Sequence, residues 1–347
     1  MKRIVICSDG TWNRPERLGR DEYPTNVLNL ARWVAPRGGI KGKVNCVEQV
    51  VFYDWGVGSY HDKYRGGGIG YGLEKNIMDC YRFLVHNYNE GDEVYLFGFS
   101  RGAYTVRSLC GMINNCSILK SIEGHRIEEA FSIYKNKKYK PQGQYSRSWR
   151  KRYAVADRVN IHFVGVWDTV GAMGLPFTIF GLIEDKDNFY DREIGKNIVT
   201  ARHAMALDEF RADFEPTIWV EKSCVDIKQV WFAGSHCDVG GSYKPDKEGR
   251  TLSDIPMAWL MKEAQKKGLS FDKKIDDIAY EPLARKNNEY KGKYKLLGKL
   301  QREIPAPDDI KTKVHFSVKE RYEGMRYTSV SIDQYVKKYG GWPEIEH

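Results

Sequence analysis

Residues 93–103 of the chain read Glu-Val-Tyr-Leu-Phe-Gly-Phe-Ser-Arg-Gly-Ala. The first five residues form a mostly apolar run that is typical of a buried strand, and the spacing of apolar residues predicts a helix over 103–113. Ser100 stands between the two, with Gly98 and Gly102 two residues before and after it. A tight strand-to-helix turn brings these flanking positions so close to other backbone that glycine is favoured at both. The stretch therefore predicts a strand, a turn that presents Ser100, and a helix.

Strand and helix patterns alternate on both sides of this stretch. Strands are predicted at 3–7, 47–53, 93–97, 159–167 and 226–232, and helices at 27–34, 73–88, 103–113, 202–210 and 254–267. Such alternation is typical of an α/β fold with right-handed crossovers. We therefore expect a mostly parallel sheet with helices on both faces.

The chain has 347 residues, of which 41% are hydrophobic, and this is enough apolar material for a large core. No linker or internal repeat divides it, so we expect a single domain over 1–347. Residues 117–157 are rich in Lys, Arg, Tyr and Ser and predict a helical insertion outside the sheet. Residues 270–347 show weak periodicity and predict a peripheral C-terminal extension.

The net charge is +9, because 55 Lys and Arg exceed 46 Asp and Glu. The excess is spread along the chain, which permits an anionic membrane surface as partner. No basic run with interleaved aromatic residues forms a nucleic-acid module, so nucleic acid is not expected. The sequence does not indicate an oligomeric state.

Cellular location is indicated by the cysteines and by the N-terminus. Seven scattered cysteines without C-x-x-C spacing are typical of a reducing compartment. The apolar run at 4–7 is too short for a signal peptide, and no run approaches the ~20 apolar residues of a membrane-spanning helix. We expect a cytoplasmic protein, whose export would follow a route independent of a signal peptide.

A serine on such a turn becomes a nucleophile when a histidine takes its proton and a carboxylate orients that histidine. Asp168 ends one predicted strand and His236 follows another, so the order Ser100, Asp168, His236 suits catalytic residues at strand ends. We expect these three to form a catalytic triad. Three other carboxylates remain alternatives to Asp168: Asp208, Asp213 and Asp238.

Serine catalysis also needs two backbone N–H groups that stabilise the oxyanion. The residue after the nucleophile, Arg101, supplies one, and the loop after the first strand supplies the other from Gly10 or Thr11. An ordinary strand-end turn is the alternative for that loop. Phosphatases with a D-x-D-G-T motif carry their nucleophilic aspartate where this chain has Cys7, which argues against that class.

Apolar and glycine-rich segments bear on the substrate. Residues 171–183 are apolar without helical regularity, which suits an acyl pocket, a lipid contact or a buried connection. Residues 56–72 are glycine-rich but fit neither common nucleotide-binding spacing, so we expect a mobile flap and no cofactor. Asp9, Asp54 and Asp238 suit either a divalent cation or hydrogen-bonded turns, and we favour the turns. The residues that we expect to contact substrate are Trp12, Phe99, Leu175, Phe177 and Phe180.

Six ordered segments together resemble one protein family. They are 9–13 (DGTWN), 53–58 (YDWGVG), 98–103 (GFSRGA), 165–171 (GVWDTVG), 201–204 (ARHA) and 236–241 (HCDVGG). They resemble a family of α/β hydrolases, long of unknown function, that includes the catalytic domains of type VI secretion phospholipase effectors. The resemblance spans about residues 3–265 and implies an α/β-hydrolase-like fold. It also implies that Ser100, Asp168 and His236 form the triad and that the substrates are carboxylic esters, phospholipid acyl esters above all.

The sequence therefore predicts a serine hydrolase of the lipase, phospholipase or carboxylesterase kind. A short-chain carboxylesterase that acts on soluble esters is one alternative. A basic binding protein on a hydrolase fold is another, and it would bind its partner regardless of Ser100.

Overall fold

The computed structural model describes residues 1–11, 13–17, 20–40, 43–56, 69–170, 194–296, 298–324 and 327–347. In these ranges the strands are β1 (Arg3–Ser8), β2 (Arg37–Ile40), β3 (Lys43–Asp54), β4 (Glu93–Phe99), β5 (Ile161–Trp167), β6 (Ile198–Ala206), β7 (Asp226–Phe232), β8 (Lys313–His315) and β9 (Ile345–Glu346). The α-helices are α1 (Asn26–Trp33), α2 (Ile69–Asn87), α3 (Arg101–Cys116), α4 (Ile127–Lys135), α5 (Gln144–Tyr153), α6 (His236–Gly240), α7 (Asp254–Lys266), α8 (Phe316–Gly324) and α9 (Val330–Tyr339).

The strands form one sheet in the order β2-β3-β1-β4-β5-β6-β7-β8-β9. Only the pair β2 and β3 is antiparallel, and the described strands otherwise pair in parallel. This confirms the predicted α/β-hydrolase-like class with its mostly parallel sheet. Because parallel strands end at the same edge, the loops after β1, β4, β5, β6 and β7 lie side by side there.

Apolar side chains cover both faces of the sheet. In β1, Ile4 and Ile6 pack with α2 and α3 on one face, whereas Val5 and Cys7 pack with α1 and α7 on the other. This follows from the two-residue period of a strand, which points successive side chains to opposite faces. A strand apolar at every position therefore needs helices on both sides, as the sequence predicted.

The prediction of a helix over 202–210 is wrong, because residues 202–206 belong to strand β6. Ala and Met favour helices, but β6 lies between β5 and β7 and is buried on both faces. Arg202 enters this buried strand because Asp226 and Glu263 pair with it at 3.0 and 2.5 Å. Pairing with neighbouring strands outweighs the local preference here.

Two regions lie around this α/β core. Between 117 and 157 the chain forms a 3₁₀ turn (Ser121–Arg126), α4 and α5. Beyond 270 it adds β8 and β9 to the edge of the sheet, and a third apolar cluster joins Val314 and Ile332 to Trp231 of β7. The division into one domain with an insertion stays a prediction. No helix in the described ranges is long and apolar enough to span a membrane.

Candidate active site

Ser100 occupies a strained turn between β4 and α3. Its φ of 58° and ψ of −122° lie where residues other than glycine are rarely found. A Cβ at Gly98 would lie 2.5 Å from the Gly102 carbonyl oxygen, and one at Gly102 would lie 2.0 Å from the Ser8 carbonyl oxygen. The two glycines thus allow backbone contacts that no side chain would permit, and these contacts hold Ser100 at the end of β4.

The loop after β1 lies beside Ser100. A Cβ added to Gly10 would lie 3.1 Å from the Cβ of Ser100. The Gly10 N–H donates to Asp9 Oδ1 at 2.8 Å. Of the two amides of this loop that could stabilise the oxyanion, those of Gly10 and Thr11, the first therefore already has an acceptor. Thr11 is therefore the remaining candidate from this loop.

Asp9 is a buried residue that anchors the same loop. It is 2% exposed and accepts hydrogen bonds from Thr25 Oγ1 at 2.6 Å and Tyr53 Oη at 2.7 Å. Burial raises its pKa to about 6, although these donors work against the rise. The segment DGT after β1 is thus a hydrogen-bonded platform next to the serine.

His236 and Asp168 are in direct contact. His236 Nδ1 lies 2.6 Å from Asp168 Oδ2, and the two side chains come from α6 after β7 and from the end of β5. An ionised carboxylate can only accept, so Nδ1 carries the proton and Nε2 is left as the basic nitrogen. The three alternative carboxylates do not share this contact in the described structure. Asp208 binds the Gly234 N–H and Asp238 binds Ser235.

Aromatic rings enclose the imidazole of His236. The centroid of the Phe99 ring lies 4.5 Å from that of the imidazole, and Phe214 meets the imidazole edge-on at 4.9 Å. Phe99 is only 1% exposed. Its observed contact is with the histidine, whereas the sequence predicted a contact with substrate. The other predicted substrate residues, Trp12, Leu175, Phe177 and Phe180, lie outside the described residues, as do 171–183 and most of the glycine-rich segment.

Arg302 also contacts Asp168, although no pattern in the sequence indicates it. Its Nη1 lies 2.6 Å from Asp168 Oδ1 and its Nη2 lies 3.0 Å from Asp168 Oδ2. Both side chains are fully buried. A buried carboxylate calls for a counter-charge, but nothing in the weakly patterned region after 270 indicates which of 55 Lys and Arg supplies it.

His203, in the segment ARHA, supports the backbone behind Asp168. Its Nε2 accepts the N–H of Thr169 at 3.1 Å. Burial lowers the pKa of His203 to about 3, so the ring is neutral and can accept this bond. Asp168 itself has a φ of 37°. A neutral histidine thus holds the chain at a residue whose backbone is strained.

Residues 2–263 match the model of the catalytic domain of the T6SS phospholipase effector Tle1-like family. The chain belongs to this family. The predicted relationship is thereby confirmed, and the match includes β1 to β7 together with Ser100, Asp168 and His236.

Individual relatives of this Tle1-like chain are distant. It is 28% identical over 238 residues to the uncharacterized protein YEL023C of Saccharomyces cerevisiae. The aligned region covers 62% of this chain and 32% of that protein. The chain thus spans about a third of the length of this curated relative. A structure of the Tle1 effector bound to the VgrG spike from the type 6 secretion system is 20% identical, with a TM-score of 0.41 over 70% of this chain and 51% of that one. An uncharacterized protein from Pseudomonas aeruginosa is 16% identical, with a TM-score of 0.44 over 78% and 46%.

The electrostatics of the Tle1-like site favour a charged Asp168 beside a neutral His236. Burial works against ionisation of Asp168, but the charge of Arg302 and the contact with His236 outweigh it and hold the pKa of Asp168 well below its usual value. Burial lowers the pKa of His236, and Asp168 opposes that shift. The imidazole is therefore ready to accept a proton near neutral pH.

Among the described residues, no three His, Cys, Asp or Glu side chains are placed to hold a metal ion. Asp9 and Asp238 are instead engaged by hydrogen bonds, Asp238 with Ser235 and Asn287. Asp54 accepts from Ser8 Oγ at 3.2 Å, and burial raises its pKa to about 7. Each of these carboxylates thus accepts hydrogen bonds, although Asp54 ends strand β3 and Asp238 lies in helix α6 rather than in a turn.

A basic cavity runs along α3, the helix that begins after Ser100. Its volume is about 770 Å³, and its described lining lacks Ser100, Asp168 and His236. The lining includes Trp219, over which the guanidinium of Arg107 lies 4.4 Å from the ring centroid. No Asp or Glu is among the described lining residues, whereas the following cations are: Arg107, Lys137, Lys140, Arg158, Lys196 and Lys222. Such a surface favours anionic molecules.

Proposed function

We propose that the chain is a serine hydrolase of carboxylic esters and that phospholipid acyl esters are its substrates. The observation that carries this proposal is the 2.6 Å contact between His236 Nδ1 and Asp168 Oδ2, at the same sheet edge as the strained Ser100. Membership in a phospholipase effector family supports hydrolysis of the lipase or phospholipase type.

The proposed reaction has two halves. In the first, Ser100 Oγ attacks the ester carbonyl carbon while His236 Nε2 takes the hydroxyl proton. The Arg101 N–H, in the first turn of α3, and the Thr11 N–H stabilise the negative oxygen of the tetrahedral intermediate. His236 then returns the proton to the departing alcohol oxygen, and this leaves an acyl ester on Ser100.

In the second half water replaces the alcohol. His236 takes a proton from water, whose oxygen attacks the acyl carbon, and the proton passes to Ser100 as the carboxylic acid leaves. Asp168 stays ionised throughout and stabilises the imidazolium that forms in each half. With a phospholipid as substrate the products are a fatty acid and a lysophospholipid.

Two features favour phospholipids over small neutral esters. The family is described by its phospholipase effectors, and the cavity along α3, although its described lining lacks the three site residues, has six Lys and Arg that would attract an anionic membrane surface. Phospholipids with anionic headgroups suit such a lining. A short-chain esterase would show no preference for them.

A fluorophosphonate probe tests the nucleophile. Wild type should be labelled, and Ser100→Ala should not. Ser117→Ala is a matched control, because Ser117 is also buried and also has a positive φ, of 59°, at the other end of α3. Labelling of Ser100→Ala at the wild-type rate would overturn the serine mechanism.

The substrate class needs a second measurement. Phosphatidylglycerol and phosphatidylcholine vesicles are compared with p-nitrophenyl esters of increasing chain length, on wild type and Ser100→Ala. We expect release of fatty acid from vesicles, faster from the anionic lipid and absent with Ser100→Ala. Hydrolysis confined to short soluble esters would replace the phospholipase assignment with a carboxylesterase. Salt-dependent lipid binding that is indifferent to Ser100→Ala, without hydrolysis, would indicate a binding protein instead.

We also propose that the chain is made in the cytoplasm and, as in an effector family, leaves it by a route without a signal peptide. Fractionation of cells that produce a tagged chain, with and without an active secretion system, tests this. Retention in both would contradict export.

A further inference from the structure

Arg302 lies outside residues 2–263, which the family model matches, yet its side chain reaches the middle of the candidate site. Besides the two contacts with Asp168, its Nη1 donates to the Ala206 carbonyl at 2.7 Å and its Nη2 donates to the Phe214 carbonyl at 2.6 Å. The planar guanidinium therefore has four acceptors in fixed directions. Arg302 is 2% exposed.

The backbone around Arg302 is held as firmly as its side chain. The Leu300 N–H donates to the Phe210 carbonyl at 2.9 Å, next to a bridge between Lys299 and Arg211. Ser331 Oγ, in α9, donates to the Arg302 carbonyl at 2.7 Å. This segment is thus fastened both to the loop after β6 and to a helix of the C-terminal region.

These contacts leave Asp168 a single orientation. Oδ1 accepts from the Ala206 N–H at 2.9 Å and from Arg302, while Oδ2 accepts from His236 Nδ1 and from Arg302. Rotation of the carboxylate would break all four bonds. The oxygen that faces His236 is therefore fixed by a residue that touches neither the imidazole nor Ser100 through any described contact.

We propose that Arg302 is a positioning residue that orients Asp168 towards His236 and balances the charge of the Asp168 carboxylate. The imidazole of His236 then remains unprotonated down to a lower pH. The inference rests on the proposed hydrolase function and adds to it a residue that the matched family region does not contain. It assigns a role at the site to the C-terminal region as well.

The charges beside His236 set the direction in which its pKa should change. An aspartate alone beside a histidine favours the imidazolium. Arg302 offsets that aspartate charge, so protonation of His236 leaves the group of three with a net positive charge in a buried place. Removal of Arg302 should therefore raise the pKa of His236. Among the described residues, the titratable and charged groups around the pair include Glu209, which accepts the His236 backbone N–H at 3.2 Å and pairs with Arg211 at 2.8 Å, and the neutral His203.

The test compares three variants. Arg302→Met deletes the charge and keeps much of the volume. Arg302→Lys keeps the charge but loses the planar guanidinium that binds both carboxylate oxygens. Arg150→Met is the matched control, because Arg150 is also 2% exposed and also binds one carboxylate, of Asp157, and two carbonyls, those of Asn115 and Pro141. Each is assayed for kcat/KM against pH, and its fold is checked by thermal unfolding.

Arg302→Met should move the acid limb of the profile upward by about 1 pH unit or more and lower kcat/KM at the optimum roughly tenfold or more. Arg302→Lys should lower kcat/KM while its acid limb stays at the wild-type position. Arg150→Met should lose stability without either change. Lost activity in Arg302→Met with an unmoved acid limb would show a merely structural role and overturn the proposal, as would equal upward shifts in Arg302→Met and Arg302→Lys.

A direct titration separates this proposal from the proposed function. The ring signals of His236, assigned with His236→Gln, are followed by NMR against pH in wild type, Arg302→Met and Arg302→Lys. A higher pKa in Arg302→Met supports the charge argument even if no ester is cleaved, and an unchanged pKa overturns it. If Arg302→Met does not fold, a raised pKa in the charge-retaining Arg302→Lys also overturns it.

Discussion

The ring of Phe99 packs against both the imidazole of His236 and the backbone of Gly240. It contacts the imidazole at a centroid distance of 4.5 Å, and a Cβ at Gly240 would lie 2.0 Å from its Cε2. Phe99 directly precedes Ser100, and Gly240 ends the helix that begins with His236. The nucleophile turn and the histidine helix thus fit together through one aromatic ring.

Gly240→Ala should disturb this fit. The added methyl group cannot be placed without displacing Phe99, and overpacking of a buried site costs about 1–3 kcal/mol of unfolding free energy. Displacement of the ring also shifts the imidazole, so ester hydrolysis should fall more than stability alone explains. Urea unfolding and initial rates of folded protein measure the two effects. Gly341→Ala is the control, since nothing lies within 4 Å of a Cβ there, and equal behaviour of the two variants would contradict the prediction.

Replacement of the candidate nucleophile by glycine should stabilise the protein relative to alanine. Ser100 has a φ of 58°, where alanine is strained and glycine is not. We expect the unfolding free energy of Ser100→Gly to exceed that of Ser100→Ala by about 1 kcal/mol, and neither variant should hydrolyse esters. At Ser132, inside helix α4, the order should reverse because glycine weakens a helix relative to alanine. The same order at both positions would argue against strain at Ser100.

Much of the fold and part of the site could be predicted from the sequence. Strands β1, β3, β4, β5 and β7 are recognisable from short apolar runs, and β7 has the predicted bounds, 226–232. The contact between Asp168 and His236 could be expected because each follows a strand of one parallel sheet, whose strands end at a common edge. These predictions rest on the pattern of apolar residues and on the order of the strands along the chain, and both can be read from the sequence.

Contacts made by individual buried polar side chains could not be predicted in this way. The sequence of strand β6 predicts a helix because the polar Arg202 and His203 conceal its burial, and their partners come from β7, α7 and the turn after β5. Arg302 reaches Asp168 from 134 residues away, and no local pattern encodes such a pairing. Burial of a charge demands a partner, but only the three-dimensional fold identifies it.

Asp168→Asn should impair both activity and stability. The amide keeps the shape but favours the wrong tautomer of His236, and we expect kcat to fall by about 10³–10⁴. It also leaves the Arg302 guanidinium buried without a charge partner, at a cost of about 3–5 kcal/mol in unfolding free energy. Asp157→Asn is the control, because it removes a carboxylate from the buried Arg150 but is itself 64% exposed, so it should cost at most about 1 kcal/mol.

The double variant Asp168→Asn with Arg302→Met checks the origin of that stability loss. If the cost comes from an unpaired buried charge, removal of the arginine should restore part of the stability, and the two effects should be non-additive. Urea unfolding of both single variants and the double variant gives the coupling. Simple addition of the two losses would contradict a direct interaction between Asp168 and Arg302.

Asp9 should make stability depend on pH. Its pKa is raised from 3.8 to about 6 by burial, so between these values the folded protein binds more protons than the unfolded chain. The contribution of Asp9 to the unfolding free energy is therefore largest below about pH 4, and it is lost as the pH rises towards 6. Asp9→Asn cannot ionise, and relative to wild type it should gain stability over that window, on the order of 3 kcal/mol for a shift of about two units.

Urea unfolding of wild type and Asp9→Asn at pH 4.0, 5.0, 6.0 and 7.0 measures this difference. Asp226→Asn provides a control that should not change over most of this range. Although burial of Asp226 opposes it, the bonds from Arg202 and Lys267 lower the pKa of this carboxyl, so the stability that wild type gains over the variant is complete by about pH 5 and the difference stays nearly constant above it. If the difference between Asp9→Asn and wild type were the same at all four pH values, Asp9 would titrate alike in the folded and unfolded chains. The Asp9 carboxyl would then not be the buried anchor of the loop beside Ser100.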